Sequence, residues 1–496
     1  MSAKGRKRVL ENPEDSPGTP EKKTRTTKTN TANNTKSTEK GVNGRTSDKA
    51  TTSGKENKLN GKTSTASKDK KDNTVAKENG ISKKKVDKNL SKIKVSHRSH
   101  GSVMKKGVVL TCGEGDVGQL GLGEDIMEKS RPAFVELPDP IIQVAAGGMH
   151  TVCLTDKGTI YTFGCNDEGG LGRDTSVEGS ETRPSKVDLP YTIIQVSAGD
   201  SHTAALTEDG KVFAWGNFRD ANGSIGLTKS GIEKNPSPLL ANEVVVKISS
   251  GVDHLTCLTD KGDLYTLGCA EQGQLGRLAE CFTNRGGRKG LENLLKPGIV
   301  RCKRYKSRKL AKFSDVWTGQ YATFVEEKET GDIYGWGLNN YYQLGFADME
   351  NRFAPERIES FCRGVKWDVI NGGQHHTIAL DTDGKVYCLG RADYGRLGLG
   401  ENCGEKSEPT LIPGLEKTKC LHVDAGGCAS FAIDENGDIY AWGMGTTKQL
   451  GSGSEDDILV PTKMVGKALS TRSGLRVSGG GQHTVILAQD IPNTNS

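Results

Sequence analysis

A short strand that ends in glycine recurs along most of this chain and limits what it can fold into. The first copy is LTCG, ending at Gly113, and the second is YTFG, ending at Gly164. The spacing between copies stays between 51 and 53 residues, apart from one gap of 69. The later copies end at Gly216, Gly268, Gly337, Gly390 and Gly443. Repeats of this length are typical of propellers and solenoids.

A second motif, in which a histidine follows a glycine-rich turn, precedes most of these strands. Tight dipeptides such as Lys157-Gly158 and Asp209-Gly210 separate the two motifs and are typical of two-residue hairpins. Because the histidine recurs at equivalent positions, we expect it to have a structural role in each unit, bonding a neighbouring backbone group. The residue before it varies, which indicates a binding face. The histidines are His150, His202, His254, His376 and His483, and two copies carry Ala322 and Ala429 instead.

Units of about 52 residues with four short strands predict an all-β, seven-bladed β-propeller. No sustained 3.6-residue period supports a helical solenoid. The last unit has its histidine strand, 482–487, without a following partner, and the first has its glycine strand, 108–112, without a preceding one. Pairing these two strands would complete a seventh blade and remove exposed edges. The propeller is therefore predicted over 107–490, followed by a short disordered C-terminus at 491–496.

Residues 1–106 form a basic segment that differs from the rest of the chain. They hold 28 Lys and Arg against 11 Asp and Glu and no aromatic Phe, Trp or Tyr, while the remaining 390 residues hold 40 against 51. Such a composition cannot bury enough apolar surface to fold, so we predict a disordered tail. Its basic clusters fit nuclear import and contact with DNA phosphates, and a solubilising linker is the alternative. The cluster residues are Lys4, Arg6, Lys7, Arg8, Lys22 and Lys23.

Several functional classes find no support in the sequence. The twelve cysteines lie between Cys112 and Cys428 without a Cys-x-x-Cys pair, which indicates reduced thiols in the cytosol or nucleus. The sequence contains no run of 18 apolar residues, so it predicts no membrane span. There is no phosphate-binding loop, nucleophile elbow or metal-ligand spacing. We therefore expect no metal, no cofactor and no covalent chemistry.

Two units break the repeat. In the third copy the apolar residue after the glycine comes nine residues later, at Ile225, whereas the other six copies place a leucine seven residues later. The dipeptide Asn222-Gly223 at the tip predicts a projecting hairpin, with a harmless loop insertion as the alternative. The gap of 69 adds a segment rich in Lys and Arg at 284–312. On an acidic body this predicts one positive patch for phosphate or protein carboxylates, unless it is only a solvated loop.

Four blade phrases resemble the regulator of chromosome condensation family, the exchange factors for the nuclear GTPase Ran. They are AGGMHT at 146–151, GCNDEG at 164–169, GCAEQGQLGR at 268–277 and GGQHHT at 372–377. The resemblance covers about 107–490 and includes both irregular insertions. It implies a chromatin-associated nuclear protein that promotes GDP release and GTP loading on Ran. The implied partners are Ran, a nucleosome (histone acidic patch and DNA) and a nuclear import receptor.

The resemblance also implies roles for individual residues. The excursion at 218–225 corresponds to a wedge that enters Ran near its nucleotide, and Asp253 and His375 correspond to the catalytic positions. Arg285 and Arg288 are candidates for docking on the histone acidic patch. Lys229 departs from the family, because an acidic residue is expected after the wedge. Implied Ran-binding residues are Asp116, Asp200, Phe218, Arg219, Asp220, Asn222, Gly223, Arg277 and His483.

Two other functions remain open from the sequence. A propeller scaffold that binds chromatin or other proteins without exchange activity would have no use for both the wedge and Asp253. A light-sensing propeller would need a tryptophan cluster on one face. The five tryptophans mostly precede strand-ending glycines in separate units, which is typical of core positions.

Overall fold

A computed structural model describes residues 104–492 of the chain. The basic tail predicted at 1–106 lies almost wholly outside the described residues, as do its import and DNA candidates from Lys4 to Lys23. Within the described range the chain forms seven four-stranded antiparallel sheets and one separate two-stranded hairpin. The predicted seven-bladed β-propeller is confirmed.

The first half of the described chain contributes blades 1 to 3 and two strands of blade 7. Blade 7 contains β1 (Val108–Glu114) and β2 (Glu128–Val135); blade 1 contains β3 (Ile141–Ala146), β4 (His150–Thr155), β5 (Ile160–Gly164) and β6 (Ser185–Lys186); blade 2 contains β7 (Ile193–Ala198), β8 (His202–Thr207), β9 (Val212–Gly216) and β12 (Glu233–Leu239), with the hairpin β10 (Phe218–Asp220) and β11 (Gly223–Gly226) between the last two; blade 3 contains β13 (Val245–Ser250), β14 (His254–Thr259), β15 (Leu264–Gly268) and β16 (Gly298–Ile299).

The second half contributes blades 4 to 6 and the remaining strands of blade 7. Blade 4 contains β17 (Phe313–Thr318), β18 (Ala322–Glu327), β19 (Ile333–Gly337) and β20 (Arg352–Arg357); blade 5 contains β21 (Trp367–Gly372), β22 (His376–Asp381), β23 (Val386–Gly390) and β24 (Lys406–Leu411); blade 6 contains β25 (Cys420–Ala425), β26 (Ala429–Asp434), β27 (Ile439–Gly443) and β28 (Ile458–Lys463); blade 7 ends with β29 (Arg472–Gly479) and β30 (His483–Asp490).

Helical structure in the described range is confined to the connections. One α-helical turn, α1 (Glu292–Leu295), lies in the long connection of blade 3. The 3-10 turns are Glu280–Phe282, Asn284–Lys289, Glu359–Phe361, Asp393–Gly395 and Pro413–Leu415.

The ring closes through the strand pairing predicted from the two ends of the repeat. Strand β1 lies between β30 and β2, with Val109 opposite Leu487 and Cys112 opposite Thr484. Blade 7 thus begins with β29 and β30 and continues with β1 as its third strand and β2 as its fourth. The first and last units hold each other in the ring, and β1 and β30 each have a paired strand on both sides.

The first strand of each blade lines a central channel of about 1660 Å³. Side chains on these inner strands join neighbouring blades. The amide of Gln143 donates to Val196 O at 2.9 Å and accepts from Val196 N at 3.0 Å, and Gln195 makes the same pair of bonds with Ile248. Lys247 Nζ lies 2.5 Å from Asp315 Oδ1 at the next junction. These contacts fix the angle between blades, and hence the positions of the loops that they carry.

The repeated histidines are structural, as predicted, but their Nε2 partner is not the backbone group expected. His150 Nε2 lies 2.9 Å from the Thr203 hydroxyl of the next blade. His376 Nε2 lies 2.9 Å from the Ser430 hydroxyl. Burial lowers the pKa of His376 to about 3, so its ring stays neutral and can share one proton with the hydroxyl. Four of the five repeated histidines therefore join adjacent blades through side chains, and His202 is the exception.

Candidate functional site

One end of the propeller collects most of the residues singled out in the sequence. In an antiparallel blade the turn between the first two strands and the connection after the third strand lie at the same end. We call this end the loop face. It carries Asp116, Asp200, Asp253, His375 and the hairpin 218–226, which lie in five different connections of four blades.

The hairpin projects from blade 2 as predicted from its Asn-Gly tip. Phe218 pairs with Gly226 and Asp220 pairs with Gly223, so Ala221 and Asn222 form the turn. Gly223 follows the turn at the start of β11 with a positive φ of 104°, a conformation that favours glycine. We call 218–226 the wedge. At its base, Asn217 Oδ1 accepts hydrogen bonds from Gly226 N at 2.8 Å and from the Ser224 hydroxyl at 3.0 Å.

The base of the wedge is buried and its middle is exposed. Phe218 is 0% exposed and packs in the apolar core between blades 2 and 3. The next residue, Arg219, is exposed and makes an ion pair with Glu168. A wedge built in this way has a fixed root and a polar surface that a partner can reach.

Asp253 contacts the wedge directly. Its Oδ1 accepts a hydrogen bond from Arg219 N at 2.7 Å. Burial raises the pKa of Asp253 to about 7; the bond from Arg219 N opposes this shift, and the nearby charges of Asp200 and Glu168 add to it. Burial also raises the pKa of Asp200, whose largest opposing influence is Arg219. The three acids therefore surround one arginine of the wedge and create a negative region beside it.

His375 lies on the same face but among aromatic and cationic side chains. Its ring packs edge-on against Tyr341 with 5.0 Å between centroids, and its Nδ1 lies 3.2 Å from Asn340 Oδ1. The guanidinium of Arg391 lies over the ring of Tyr341, with its central carbon 4.6 Å from the ring centroid. Burial lowers the pKa of His375, and the charges of Arg396 and Arg391 lower it further. Sequence reasoning missed Tyr341 and Arg391, although Tyr341 and Tyr394 share one repeat position.

Two residues predicted to bind a partner have structural contacts within the propeller, and their roles in Ran binding stay predictions. His483 is 1% exposed, and its Nε2 lies 2.9 Å from the Thr151 hydroxyl. Arg277 donates to Asn293 O at 3.0 Å and to Leu294 O at 3.3 Å. Its guanidinium therefore secures the backbone of α1.

The basic insertion is not the single patch that the sequence predicted. Strand β16 divides it, because Ile299 pairs with Tyr265 at the start of β15. Residues 280–295 precede β16 and belong to the loop face. Residues 300–312 follow it at the opposite end, where Lys303 and Leu310 form a bridge. The charge is thus spread over two surfaces of blade 3.

The two arginines predicted to dock on histones have different surroundings. Arg285 Nη2 lies 3.0 Å from Asp220 Oδ1 of the wedge. Arg288 is exposed. Lys229, the departure noted in the sequence, lies 2.5 Å from Glu292 Oε1 of the insertion. The unexpected lysine after the wedge therefore has an acidic partner.

Residues 104–492 contain no helix with the length and apolar character needed to cross a membrane. The same residues contain no group of three or more His, Cys, Asp or Glu side chains placed to hold a metal ion.

Comparison with known proteins gives one consistent family. The model of the RCC1-like domain matches residues 108–486. The regulator of chromosome condensation of Homo sapiens is 55% identical over 402 residues, which cover 80% of this chain and 94% of that protein. Prp20p of Saccharomyces cerevisiae, whose crystal structure was described with its binding properties to Gsp1p and histones, is 28% identical with a TM-score of 0.71, covering 79% of this chain and 93% of that chain.

A second crystal structure, of yeast RCC1 (Prp20) bound by Kap60, is 27% identical with a TM-score of 0.71, covering 85% of this chain and 97% of that chain. The family model, the high identity over most of both chains and the similarity to these two structures agree. The chain belongs to the regulator of chromosome condensation family.

Proposed function

We propose that this protein is a guanine-nucleotide exchange factor that promotes GDP release and GTP loading on the GTPase Ran. The observation that carries the proposal is the wedge, held beside Asp200 and Asp253 on the loop face. A propeller that served only as a binding scaffold would not need a hairpin whose base is buried in the core and whose backbone is hydrogen-bonded by Asp253. Membership of the family supports the same activity.

The energetic requirement is a coupling between two binding events. Releasing a tightly held nucleotide about 10⁵-fold faster takes roughly 7 kcal/mol of preferential binding to nucleotide-free Ran. The wedge and the acids beside it are proposed to provide this preference by displacing the phosphate and Mg²⁺ contacts of the GTPase. Because coupling is reciprocal, incoming nucleotide then expels the factor. The direction of exchange, toward Ran with GTP bound, is proposed to follow from the cellular supply of the two nucleotides.

The experiment is stopped-flow release of fluorescent GDP from purified Ran. We expect Asp253→Ala to slow release strongly, while Asp188→Ala, an exposed acid in the connection before β7, should match the wild type. Equal rates for Asp253→Ala and the wild type would remove Asp253 from the mechanism. Absence of release by the wild type would leave the scaffold function instead.

We also propose that the protein acts on chromatin in the nucleus. The exposed Arg288 and the basic tail support contact with the acidic patch of a nucleosome and with its DNA. The yeast relative was studied for binding to histones, in line with this proposal. Deletion of residues 1–106 should weaken chromatin retention in moderate salt. Unchanged retention would exclude the tail as a DNA-binding element.

Import into the nucleus is proposed to use the lysine and arginine clusters of the tail. The yeast relative was crystallised with Kap60, which supports recognition by a carrier of that kind. Replacing Lys22 and Lys23 by alanine should reduce capture by purified Kap60, while replacing Lys55 and Lys58 controls for loss of charge. Equal capture by both double variants would argue against this cluster.

A further inference from the structure

The connection 217–232, which carries the wedge, and the first part of the basic insertion, 280–295, are joined by two ion pairs of opposite polarity. In one, the acid belongs to the wedge and the base to the insertion: Asp220 Oδ1 lies 3.0 Å from Arg285 Nη2. In the other, the polarity is reversed: Lys229 Nζ lies 2.5 Å from Glu292 Oε1. Because the two pairs have opposite polarity, a shift that brought Asp220 to Glu292, or Lys229 to Arg285, would place like charges together. The two pairs therefore favour a single relative position of the two segments.

A third contact involves the backbone of the wedge. Glu271, at the start of the same connection in blade 3, accepts a hydrogen bond from Ala221 N at 2.9 Å. Three consecutive wedge residues are therefore each held by a different group outside the hairpin. Asp253 holds Arg219, Arg285 holds Asp220, and Glu271 holds Ala221. A short hairpin is unstable alone, so these contacts determine its conformation.

The insertion that supplies Arg285 is itself firmly seated. Leu294 and Leu295 of α1 are buried in the same apolar cluster as Phe218 at the root of the wedge. The guanidinium of Arg277 donates to the carbonyls at the end of that helical turn. Residues 271–295 and the connection 217–232 thus share one apolar core and three polar contacts.

We propose that residues 271–295 buttress the wedge, and that Glu271 and Arg285 are positioning residues for exchange on Ran. This inference rests on the proposed function, because it names residues that prepare the wedge without touching the nucleotide. A hairpin already in its binding conformation avoids the ordering cost that a mobile one would meet at each encounter. Arg285 then has a role at the wedge, apart from the histone docking predicted for it.

Hydrogen exchange of the free protein, followed by mass spectrometry, tests the buttress without Ran. Glu271→Ala and Arg285→Ala should each speed exchange of peptides spanning 218–226 by about tenfold, because each removes a hydrogen bond to a charged group. Glu271→Gln, which keeps an acceptor oxygen, should restore much of the protection. Lys296→Ala, which removes an exposed cation from the same insertion, and Glu136→Ala at the opposite end are the controls. Unchanged wedge peptides in both test variants would overturn the proposal.

The second ion pair offers a charge exchange. Lys229→Glu should loosen the wedge peptides by placing two acids together, and adding Glu292→Lys should restore them. Failure of the double variant to recover, with its melting temperature unchanged, would mean that the pair does not support the wedge.

Kinetics on Ran then separate positioning from direct contact. If only a fraction of molecules holds the wedge ready, the apparent affinity falls by that fraction. Arg285→Ala and Glu271→Ala should therefore raise KM about tenfold and leave kcat within about twofold, whereas a residue that acts on the nucleotide site would lower kcat. A fall in kcat at unchanged KM would overturn the positioning role. Lack of exchange by the wild type would refute the proposed function and leave the hydrogen-exchange result to decide the buttress.

Discussion

The imidazole of His202 packs against the ring of Phe218, with 4.6 Å between ring centroids. In the equivalent place other blades bring a hydroxyl to the histidine, such as Thr323 to His254 at 3.0 Å. Blade 3 has Leu255 there, and neither nitrogen of His202 has a hydrogen-bond partner among the described residues. The contact that elsewhere joins two blades is replaced at this point by an aromatic contact with the root of the wedge.

This relationship predicts a large effect of truncating Phe218. Phe218→Ala should lower the free energy of unfolding by about 3–5 kcal/mol, because it opens a cavity beneath the wedge. Phe218→Leu should cost less than about 1.5 kcal/mol, since most of the volume is kept. Urea unfolding followed by tryptophan fluorescence measures both. Equal stability of the alanine variant and the wild type would show that the aromatic contact does not anchor the hairpin.

The blades could be predicted from the sequence because their information is local. A histidine, a tight turn and a glycine at fixed spacing specify a hairpin wherever they recur, and the two incomplete end units specify the ring closure. The wedge was predicted for the same reason, because Asn222-Gly223 marks its own turn. The burial of His483 also followed from its repeat position, and only the resemblance suggested a surface role for it.

The division of the basic insertion could not be predicted. Strand β16 has only two residues, which is too short for an alternating apolar pattern to reveal it. The sequence therefore contains no sign that residues 284–312 are divided into two segments. The contact between Asp220 and Arg285 spans 65 positions and has no local signal. Charge counting found the basic residues but could not tell which of them already had a partner.

The pKa of Asp253 predicts a pH dependence of stability. The pKa of Asp253 is about 7 in the folded protein and near 3.8 in the unfolded chain. Between these two pH values the folded state therefore binds this proton more strongly than the unfolded state does. The protonated carboxyl therefore contributes to the free energy of unfolding. This contribution is fully present below about pH 4 and is lost as the pH rises through about 7. Asp253→Asn should flatten the stability profile between about pH 4 and 7, measured by urea unfolding in steps of pH. Identical profiles for the variant and the wild type would mean that the folded carboxyl titrates normally. Asp424, also raised to about 7 by burial, should contribute in the same direction and remain in the variant.

The different surroundings of Arg285 and Arg288 predict unequal effects on nucleosome binding. Arg288 is exposed, whereas Arg285 is paired with Asp220. Arg288→Ala should weaken binding to purified nucleosomes about tenfold, as expected for one charge-assisted contact, and Arg285→Ala should weaken it less. Fluorescence anisotropy with labelled nucleosomes measures both, and Lys296→Ala corrects for the loss of one charge. A larger loss for Arg285→Ala would mean that the pair with Asp220 opens when histones bind.

Ring closure predicts that the last strand is indispensable. Strand β30 lies second in blade 7 and buries Val485, Ile486 and Leu487 against its neighbours. A chain ending at residue 482 would lose this apolar contact and leave β1 and β29 with open edges. Its melting temperature should fall by about 10 °C or more, since several kcal/mol are lost and each kcal/mol shifts a large domain by about 2–4 °C. A chain ending at residue 490 keeps β30 and should melt like the full protein, as circular dichroism can show. Equal melting of the two truncations would mean that six blades close without the seventh, and the pairing of Val109 with Leu487 would then be a consequence of the ring and not its cause.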